Sequence, residues 1–319
     1  MMRRHTAAAA LLAACTLVAA PALAQNSIDL SRYTLTRNVA LDTQGGMGLE
    51  ASAVAYARDR GTLFVVGDEG LGVVEISLTG QTVSSMAFSA WPTRTTHHDA
   101  EGLAYLGNGV LVVGEERIQD AFRFNYVAEG SVNLATAAWS SVANWAYNNS
   151  GMEGISFDPR DGSFVAVKQA SPQMVLTGTL AFEADVDGGP SAMGTLFSAS
   201  NLFGLSSLSD VQTLSPVDAL AGTPAADNLL LLSLGSKRLV EVNRSGQVLS
   251  SLDLSAFTPH DIEGVTIDER GRIYLVAEDS GFGQSRLLVL TPVPEPAAWA
   301  MWLMGLAAVG ATRRQARGG

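Results

Sequence analysis

One pattern occurs five times along the chain, and this repeat restricts the possible folds more than any other feature. Each unit has a short apolar segment, a turn rich in Gly, Asp or Asn, and a second apolar segment, which is the pattern of a β-hairpin. A third segment follows, and often a fourth. The units are roughly 50 residues apart and begin near Leu49, Asp99, Gly151, Asp210 and Asp261. An all-β fold, a five-bladed β-propeller, is therefore predicted, since an open β-sandwich would leave the periodic return of the motif unexplained.

The ends of the repeat region predict how the propeller closes. The fifth unit stops after its third strand, Arg286 to Leu290. The segment Tyr33 to Leu41 lies ahead of the first unit and reads as a strand with no partner of its own. We expect this N-terminal strand to close the last blade by covering its open outer edge.

Residues 1–24 are predicted to be a secretory signal peptide. They have a basic start at Arg3 and Arg4, an apolar core and an Ala-x-Ala ending at Ala24, where signal peptidase would cut. An alternative is lipidation, because Leu12 to Cys15 fits a lipoprotein processing box. The chain stays apolar after that cysteine, which favours cleavage by signal peptidase.

Residues 291–319 have the features of a second targeting segment. The motif Pro294, Glu295, Pro296 precedes an apolar run, Ala297 to Ala311, and a basic end. As a helix, this run would be about 22 Å long, against about 30 Å of hydrocarbon in a bilayer. The segment resembles the PEP-CTERM sorting signals of Gram-negative bacteria, which an exosortase recognises and removes. That resemblance implies transient membrane association and a cell-surface or extracellular location after processing; the alternative is an ordinary single-pass anchor.

Residues 25–290, the predicted propeller domain, are strongly acidic. Without the five arginines and one glutamate of the two end segments, 15 basic residues remain against 30 acidic ones. Such a surface repels nucleic acid and anionic membranes and favours cations. Cys15 is the only cysteine and leaves with the signal peptide, so the domain depends on packing rather than on disulfides. We expect it to be a monomer.

Carboxylates recur at two positions of the repeat. One set lies at the start of the first strand and contains Glu50, Glu101, Glu153, Asp210 and Glu263. A second set follows the second strand and contains Asp68, Glu69, Glu115, Glu116, Glu278 and Asp279. Because the first strands of a propeller line its channel, and a hairpin returns the second strand to the start of the first, both sets are expected at one mouth of the channel.

Carboxylates gathered at one mouth need protons, water or a cation to reduce their repulsion. Two of them about 5 Å apart repel by roughly 3 kcal/mol at an effective dielectric constant near 20. Oxygen ligands alone, in an exported protein, favour Ca²⁺ over Mg²⁺, which prefers a tighter octahedron. The predicted calcium ligands are Glu101, Glu116, Glu153, Asp210, Glu263 and Glu278. The alternative is a structural role, in which these side chains cap strands by accepting backbone N–H bonds.

Four further residues are predicted to lie at the rim of this mouth: Glu50, His98, His260 and Arg117. Each histidine directly precedes an Asp-x-Glu sequence, and hydrogen bonding at the rim is a more common role for such a residue than catalysis. The sequence contains no G-x-S-x-G motif, no Walker motif and no metal-spaced His/Cys cluster. It therefore lacks the signatures of familiar hydrolases and nucleotide-binding proteins.

The order of these short motifs resembles the SdiA-regulated family over most of Leu49 to Leu290. The motifs are Asp99-Ala-Glu101, Glu115-Glu116-Arg117, Asn149 to Gly154, Asp210-Val211 and Glu263-Gly264. The resemblance implies a five-bladed propeller, distantly similar to NHL-repeat proteins, with bound calcium and no established activity. Two positions differ: Met152 stands where the family has phenylalanine, and Ala277-Glu278-Asp279 where it tends to have Ser-Glu-Pro.

Two kinds of function fit these expectations. One is a non-catalytic surface or matrix protein, in which calcium stiffens the propeller and the rim binds a glycan, a peptide or another surface partner. The other is a calcium-dependent hydrolase of the phosphoesterase or lactonase type with an acidic channel site. The first is favoured because no nucleophile or general base stands out in the sequence.

Overall fold

Each repeat unit folds into one small sheet, and five such sheets are arranged around a channel. The computed structural model describes residues 26–42, 44–143, 150–199 and 204–293. Its sheets follow the chain in order, and all neighbouring strands are antiparallel except for one short parallel pair in the first sheet. The predicted fold class, a five-bladed β-propeller, is confirmed.

The strands are numbered in chain order. Strand β1 (Tyr33–Ala40) precedes the first blade. The first blade contains β2 (Ala51–Ala57), β3 (Thr62–Gly67), β4 (Gly72–Ser77) and β5 (Thr82–Ala90). The second contains β6 (Ala100–Gly107), β7 (Val110–Glu115), β8 (Asp120–Asn125) and β10 (Ala138–Ser141). Strand β9 (Ser131–Asn133) leaves the second blade and pairs in parallel with β5 of the first.

The later blades repeat this layout. The third contains β11 (Met152–Asp158), β12 (Ser163–Lys168), β13 (Met174–Gly178) and β14 (Gly194–Ser198). The fourth contains β15 (Asp210–Thr213), β16 (Leu229–Ser233), β17 (Arg238–Val242) and β18 (Val248–Asp253). The fifth contains β19 (Ile262–Ile267), β20 (Ile273–Ala277) and β21 (Arg286–Pro292). Short 3₁₀ helices occur at Leu30–Arg32, Gln44–Gly46, Asp218–Leu220 and Pro224–Asp227.

The N-terminal strand closes the last blade, as predicted. Strand β1 pairs antiparallel with β21, with Tyr33 opposite Pro292 and Ala40 opposite Arg286. The sheet order is β1-β21-β20-β19. The Tyr33 hydroxyl also donates a hydrogen bond of 2.9 Å to the carbonyl oxygen of Gly271 in the β19–β20 turn. The start and the end of the propeller are therefore joined through one sheet.

The hydrophobic core is divided into five clusters, one between each pair of neighbouring blades. Strand β3 illustrates the arrangement. Leu63 and Val65 pack toward the fifth blade, whereas Phe64 and Val66 pack toward the second. Because successive side chains of a strand point to opposite faces, a blade buried on both faces needs apolar residues at every position. This is why the second strand of each unit reads as a continuous apolar run.

The innermost strands form a closed ring around the channel. Strand β2 contacts β6, and contacts continue through β11, β15 and β19 back to β2. All five strands run in the same direction along the channel, because each begins its own blade. Their starts therefore surround one mouth of the channel and their ends surround the other.

The two predicted targeting segments fall outside this description. Residues 1–24 and 297–311, together with the motif at Pro294, Glu295 and Pro296, are not among the described residues. Within the described ranges, no helix is long and apolar enough to cross a membrane.

Candidate functional site

Three glutamates of the first carboxylate set lie in β-bulges at the starts of innermost strands. The pairing register shifts by one residue at Glu101 between Ala100 and Gly102. It shifts in the same way at Glu153 and at Glu263. A bulge leaves one residue out of the ladder and changes the direction of its side chain. The three glutamates therefore occupy equivalent places in the second, third and fifth blades.

The first blade has the same bulge with a different residue. There the register shifts between Ala51 and Ala53, so Ser52, and not Glu50, occupies the position equivalent to Glu153. Glu50 was predicted to share the position of the other glutamates, but the register separates it from that position by two residues. The fourth blade has no shift, because Asp210 pairs directly with Leu232.

The glycine after each bulged glutamate allows neighbouring blades to approach closely. A Cβ atom on Gly154 would lie 2.3 Å from Asp210 Oδ1 and 2.6 Å from its Cα. A Cβ on Gly264 would lie 2.9 Å from the Cα of Ala53 in the first blade. Real Cβ contacts are not this short, so the Glu-Gly pair combines a ligand-type side chain with a residue that lets the innermost strands pack tightly.

The bulged glutamates lie within each other's electrostatic field. Burial raises the pKa of Glu101 well above its usual value, and the charges of Glu263, Asp68 and Glu116 raise it further. Burial likewise raises the pKa of Glu153, with contributions from the charges of Glu101, Glu116 and Glu263. Charged forms of these groups are therefore destabilised unless something positive replaces the proton.

Glu263 has the same kind of environment on the fifth blade. Burial raises its pKa to about 8, the charges of Glu278 and Asp68 add to the rise, and a hydrogen bond with Ser52 lowers it. Burial also raises the pKa of Glu278, whose carboxylate accepts a hydrogen bond of 3.2 Å from Ser280. The first and fifth blades thus meet at this edge of the mouth.

Glu116 reaches the cluster from the end of a second strand. It is buried, and its charge raises the pKa of Glu153. Its Oε1 atom also accepts a bond of 3.1 Å from the backbone N–H of Gly151. Burial raises the pKa of Glu116, as it does that of Glu153.

Asp68 belongs to the cluster, although it was not among the predicted ligands. Its charge raises the pKa of Glu101, Glu263 and Glu278, and burial raises its own pKa. The signal for it was present in the sequence, because Asp68 stands in the second carboxylate set with Glu116 and Glu278. We call Asp68, Glu101, Glu116, Glu153, Glu263 and Glu278 the acidic mouth.

Asp210 has a different role from the other predicted ligands. Its Oδ1 atom accepts a hydrogen bond of 2.7 Å from the backbone N–H of Val211. Its Oδ2 atom accepts one of 2.7 Å from the N–H of Val265 in the fifth blade. Burial raises the pKa of Asp210, and these two bonds oppose that rise. Its carboxylate therefore connects the innermost strands of the fourth and fifth blades.

Two predicted rim residues make contacts between chain segments. Glu50 accepts a hydrogen bond of 3.0 Å from the backbone N–H of Asp279 and so connects the first and fifth blades. Burial raises the pKa of Glu50 to about 7. Arg117 donates a hydrogen bond to the carboxylate of Asp99 and forms an ion pair with it.

The two predicted rim histidines are held by structural contacts. His98 is exposed and stacks on Trp91, with ring centroids 5.4 Å apart and planes within 4°. His260 is buried, and its Nδ1 atom lies 2.8 Å from the carbonyl oxygen of Glu278. The ring of His260 also packs against Phe282 at 5.4 Å.

A buried lysine ends the second strand of the third blade. Lys168 pairs with Met152, and the residue after it, Gln169, stands where the first, second and fifth blades have Asp68, Glu116 and Glu278. Its Nζ atom donates to the carbonyl oxygens of Ala170 and Pro172. Burial lowers the pKa of Lys168, and the nearby charge of Glu153 raises it. The mouth thus contains one fixed amine among its carboxyl groups.

The donor chemistry of the acidic mouth suits a hard cation, because every charged donor is a carboxylate oxygen. Five of the six predicted calcium ligands lie in this cluster, and Asp210 has both oxygens engaged with backbone N–H groups. In the described part of the chain, no three Asp, Glu, His or Cys side chains are already arranged to hold a metal ion. Binding a cation would therefore require these carboxylates to reorient.

A closed five-bladed propeller with bulged glutamates at one channel mouth defines the class of this protein. The family model for SdiA-regulated proteins matches residues 26–284, so the chain belongs to the SdiA-regulated family. The model for the PEP-CTERM protein-sorting motif matches residues 292–317, which confirms the predicted sorting signal and marks the chain as an exported protein.

Solved structures with a similar architecture are distant in sequence. The glutaminyl cyclase of Myxococcus xanthus has a TM-score of 0.50 and 15% identity, covering 82% of this chain and 97% of that chain. A luciferin-regenerating enzyme has a TM-score of 0.47 and 10% identity, covering 81% and 96%. The β-propeller domain of Cps50 (Swd1) from Myceliophteria thermophila has a TM-score of 0.40 and 13% identity, covering 83% and 69%. At such identities, similarity concerns the fold alone.

Proposed function

We propose that this protein is an exported, cell-surface propeller that binds calcium at the acidic mouth and acts as a binding module for a surface partner. The observation that carries the proposal is the concentration of mutually repelling carboxyl groups from different blades around one mouth. Glu101, Glu153 and Glu263 come from three separate innermost strands, and each has another carboxylate as an electrostatic neighbour. A divalent cation would stabilise their charged forms and connect the blades.

Glu101, Glu116, Glu153 and Glu263 would hold the ion, with Glu278 and Asp68 beside them. Calcium accepts six to eight oxygen ligands in flexible geometry, so water would complete the shell. When bound, the ion supplies positive charge that stiffens the channel mouth. Because burial raises the pKa values of Glu116 and Glu153, calcium would compete with protons for these carboxylates, which makes binding dependent on pH.

A binding role is favoured over hydrolysis by the contacts of the two histidines. The His98 ring stacks on Trp91, and His260 Nδ1 faces a backbone carbonyl. Neither contact positions a base against a nucleophile. Calcium in this proposal therefore serves structure and recognition.

Calorimetric titration of the purified exported protein with calcium chloride tests the proposal. Three variants each remove one charge and preserve the shape of the side chain: Glu101→Gln, Glu153→Gln and Glu263→Gln. Each should weaken calcium binding by about tenfold or more, which is a loss of about 1.4 kcal/mol in binding free energy. Asp161→Asn is the matched control, because Asp161 is an exposed turn residue at the other end of β11. Absence of calcium binding by the wild-type protein at millimolar concentration would return the carboxylates to a structural role.

The proposed route to the surface has its own test. Signal peptidase would remove residues 1–24, and an exosortase would cut near the Pro294–Pro296 motif and remove the apolar run after it. Intact mass spectrometry of surface material should therefore find neither segment. A mature protein that retains residues 299–311 would contradict processing by an exosortase and favour a permanent anchor.

A further inference from the structure

The opposite end of the channel contains a cavity that the acidic mouth does not explain. Its volume is about 540 Å³. It is lined by residues at the ends of the innermost strands and in the turns after them, with contributions from all five blades. Along β11, Glu153 and Phe157 are four residues apart, which corresponds to about 13 Å of extended strand. The cavity and the acidic mouth are therefore separate sites, and a volume of this size suits a small-molecule ligand.

Three aromatic side chains border the cavity: Tyr56, Tyr105 and Phe157. All three are half-buried. The Tyr105 hydroxyl donates a hydrogen bond of 2.6 Å to Asp59 and accepts one of 2.9 Å from the backbone N–H of Gly109. These bonds fix the Tyr105 ring in place, so its orientation does not have to be established when a ligand binds.

The other two rings are also fixed by neighbours. The Tyr56 hydroxyl donates to the carboxylate of Glu269. The Phe157 ring lies 5.1 Å from the ring of Phe164, which belongs to the core between the second and third blades. The aromatic lining is therefore a rigid surface that offers ring faces and edges to a ligand.

Polar groups from three blades line the cavity among these rings. Gln212 donates to the carbonyl oxygen of Thr213 at 2.7 Å and accepts from the Thr266 hydroxyl at 3.0 Å. The Ser156 hydroxyl accepts from the N–H of Thr213 at 3.1 Å. Gln212, Ser156 and Thr266 are all buried. In the described part of the chain, the hydroxyl hydrogen of Ser156 has no acceptor, so it is available to a ligand.

The two charged residues at the cavity edge, Arg58 and Asp59, already have partners. Arg58 forms an ion pair of 2.9 Å with Asp218. Asp59 accepts hydrogen bonds from Tyr105 and from the backbone N–H of Asn108 at 2.9 Å. The remaining lining is neutral. An anionic ligand would find no free cation among these residues and would also meet the acidic surface of the domain.

We propose that this cavity is a binding site for a neutral saccharide of one or two rings. A pyranose offers apolar faces to aromatic rings and hydroxyl edges that donate and accept, which matches fixed rings beside an amide and hydroxyl groups. This inference rests on the binding role proposed above and gives it a ligand class and a location, but it does not depend on calcium.

The test is saturation-transfer NMR and calorimetry of the purified exported protein with cellobiose, maltose, lactose and N,N′-diacetylchitobiose at millimolar concentration. At least one disaccharide should bind. Ser215→Trp, which adds bulk at the cavity lining without removing an aromatic residue, should weaken binding by at least tenfold. Tyr105→Ala should do the same, and a circular dichroism spectrum and melting curve identify any variant that fails to fold.

Phe282→Ala is the matched control, because Phe282 is an exposed aromatic residue near His260, at the acidic end of the channel. The Phe282→Ala variant should bind the disaccharide as tightly as the wild type does. The proposal is overturned if none of the four disaccharides binds, if Ser215→Trp binds as well as the wild type, or if Phe282→Ala loses binding to the same extent. Because each titration is run in EDTA and again in calcium, failure of saccharide binding is distinguishable from failure of the calcium proposal.

Discussion

The two ends of the channel are built by the same five strands, yet their carboxylates have opposite environments. At the turn end, Asp158 accepts hydrogen bonds of 3.0 and 2.7 Å from the Arg160 guanidinium, and Asp268 accepts one of 2.6 Å from Arg272. At the acidic mouth, Glu153 instead has the like charges of Glu101, Glu116 and Glu263 around it. Buried aspartates in the turns thus have their cations nearby in sequence, whereas the glutamates of the mouth face one another across blades.

This difference separates structural carboxylates from candidate ligands. Asp158 and Asp268 are structural residues of their turns, because each accepts a hydrogen bond from the turn backbone. Replacing such a group leaves an arginine and buried N–H groups without an acceptor. Replacing a glutamate of the acidic mouth instead removes electrostatic repulsion between carboxylates. The sign of the stability change therefore distinguishes the two ends.

Removal of the closing strand should cause the largest loss of stability, because it affects both ends of the channel at once. Deleting residues 31–41 removes β1 from the fifth blade and exposes β21 as an open edge. We expect a loss of several kcal/mol, which threatens a fold whose total stability is about 5–15 kcal/mol. Thermal unfolding followed by circular dichroism checks this. An unchanged melting temperature would mean that β1 does not close the propeller.

Single substitutions at the two ends should shift stability in opposite directions. Asp268→Asn should cost about 3–5 kcal/mol, because it breaks a buried ion pair. Glu263→Gln in EDTA at alkaline pH should instead stabilise the protein by about 1–2 kcal/mol, because the pKa of Glu263 is raised to about 8 and its charge is unfavourable. Denaturant titration of both variants measures the difference. Equal losses in both would remove the distinction between the two ends.

The acidic mouth should also make the calcium-free protein less stable as pH rises. The pKa values of Glu263 and Glu50 are raised from 4.5 to about 8 and about 7. Between the unfolded and folded values the folded state binds more protons, so the free energy of unfolding falls from about pH 5 to pH 8. Melting curves in EDTA should show this fall, and saturating calcium should abolish it. A rise over this range in EDTA would contradict the proposed repulsion.

The smallest expected effect concerns the side-chain amine of Lys168 at the acidic mouth. Lys168→Gln removes a positive charge beside Glu153 and should tighten calcium binding by about threefold, through weaker repulsion of the cation. Calorimetry measures this, with Arg270→Gln as the control, because Arg270 is exposed and lies in the β19–β20 turn at the other end of the channel. Weaker calcium binding in Lys168→Gln would mean that the amine organises the site rather than opposing the ion.

Much of the architecture was predictable because it depends on local patterns. Hairpins follow from apolar runs separated by turn residues, and five repeats at equal spacing predict five blades. The closing strand followed from counting, since the fifth unit lacked its outer strand. The general position of the carboxylates was also predictable, because a hairpin returns the end of its second strand to the start of its first.

The details of the candidate site were not predictable in the same way. A register shift of one residue places Glu101 in a bulge and gives the same position in the first blade to Ser52 rather than Glu50. Asp210 matches the motif but accepts bonds from the next blade. Asp68 belongs to the cluster only because two blades bring it near Glu101. None of these contacts is a property of a single segment.

By itself, the sequence determined the class of the molecule: five hairpin repeats, a closing strand, an acidic domain and a sorting motif at its end. Each of these features can be predicted from the sequence, because it depends on residues near one another in the chain or on a count of the repeats. Only the tertiary structure decided which carboxylates meet, which are committed to backbone N–H groups, and that a neutral cavity with Tyr105 and Gln212 lies at the other end of the channel. Those outcomes depend on distances between strands that are about 50 residues apart, and such distances are set by blade packing and bulge register, which no local pattern encodes.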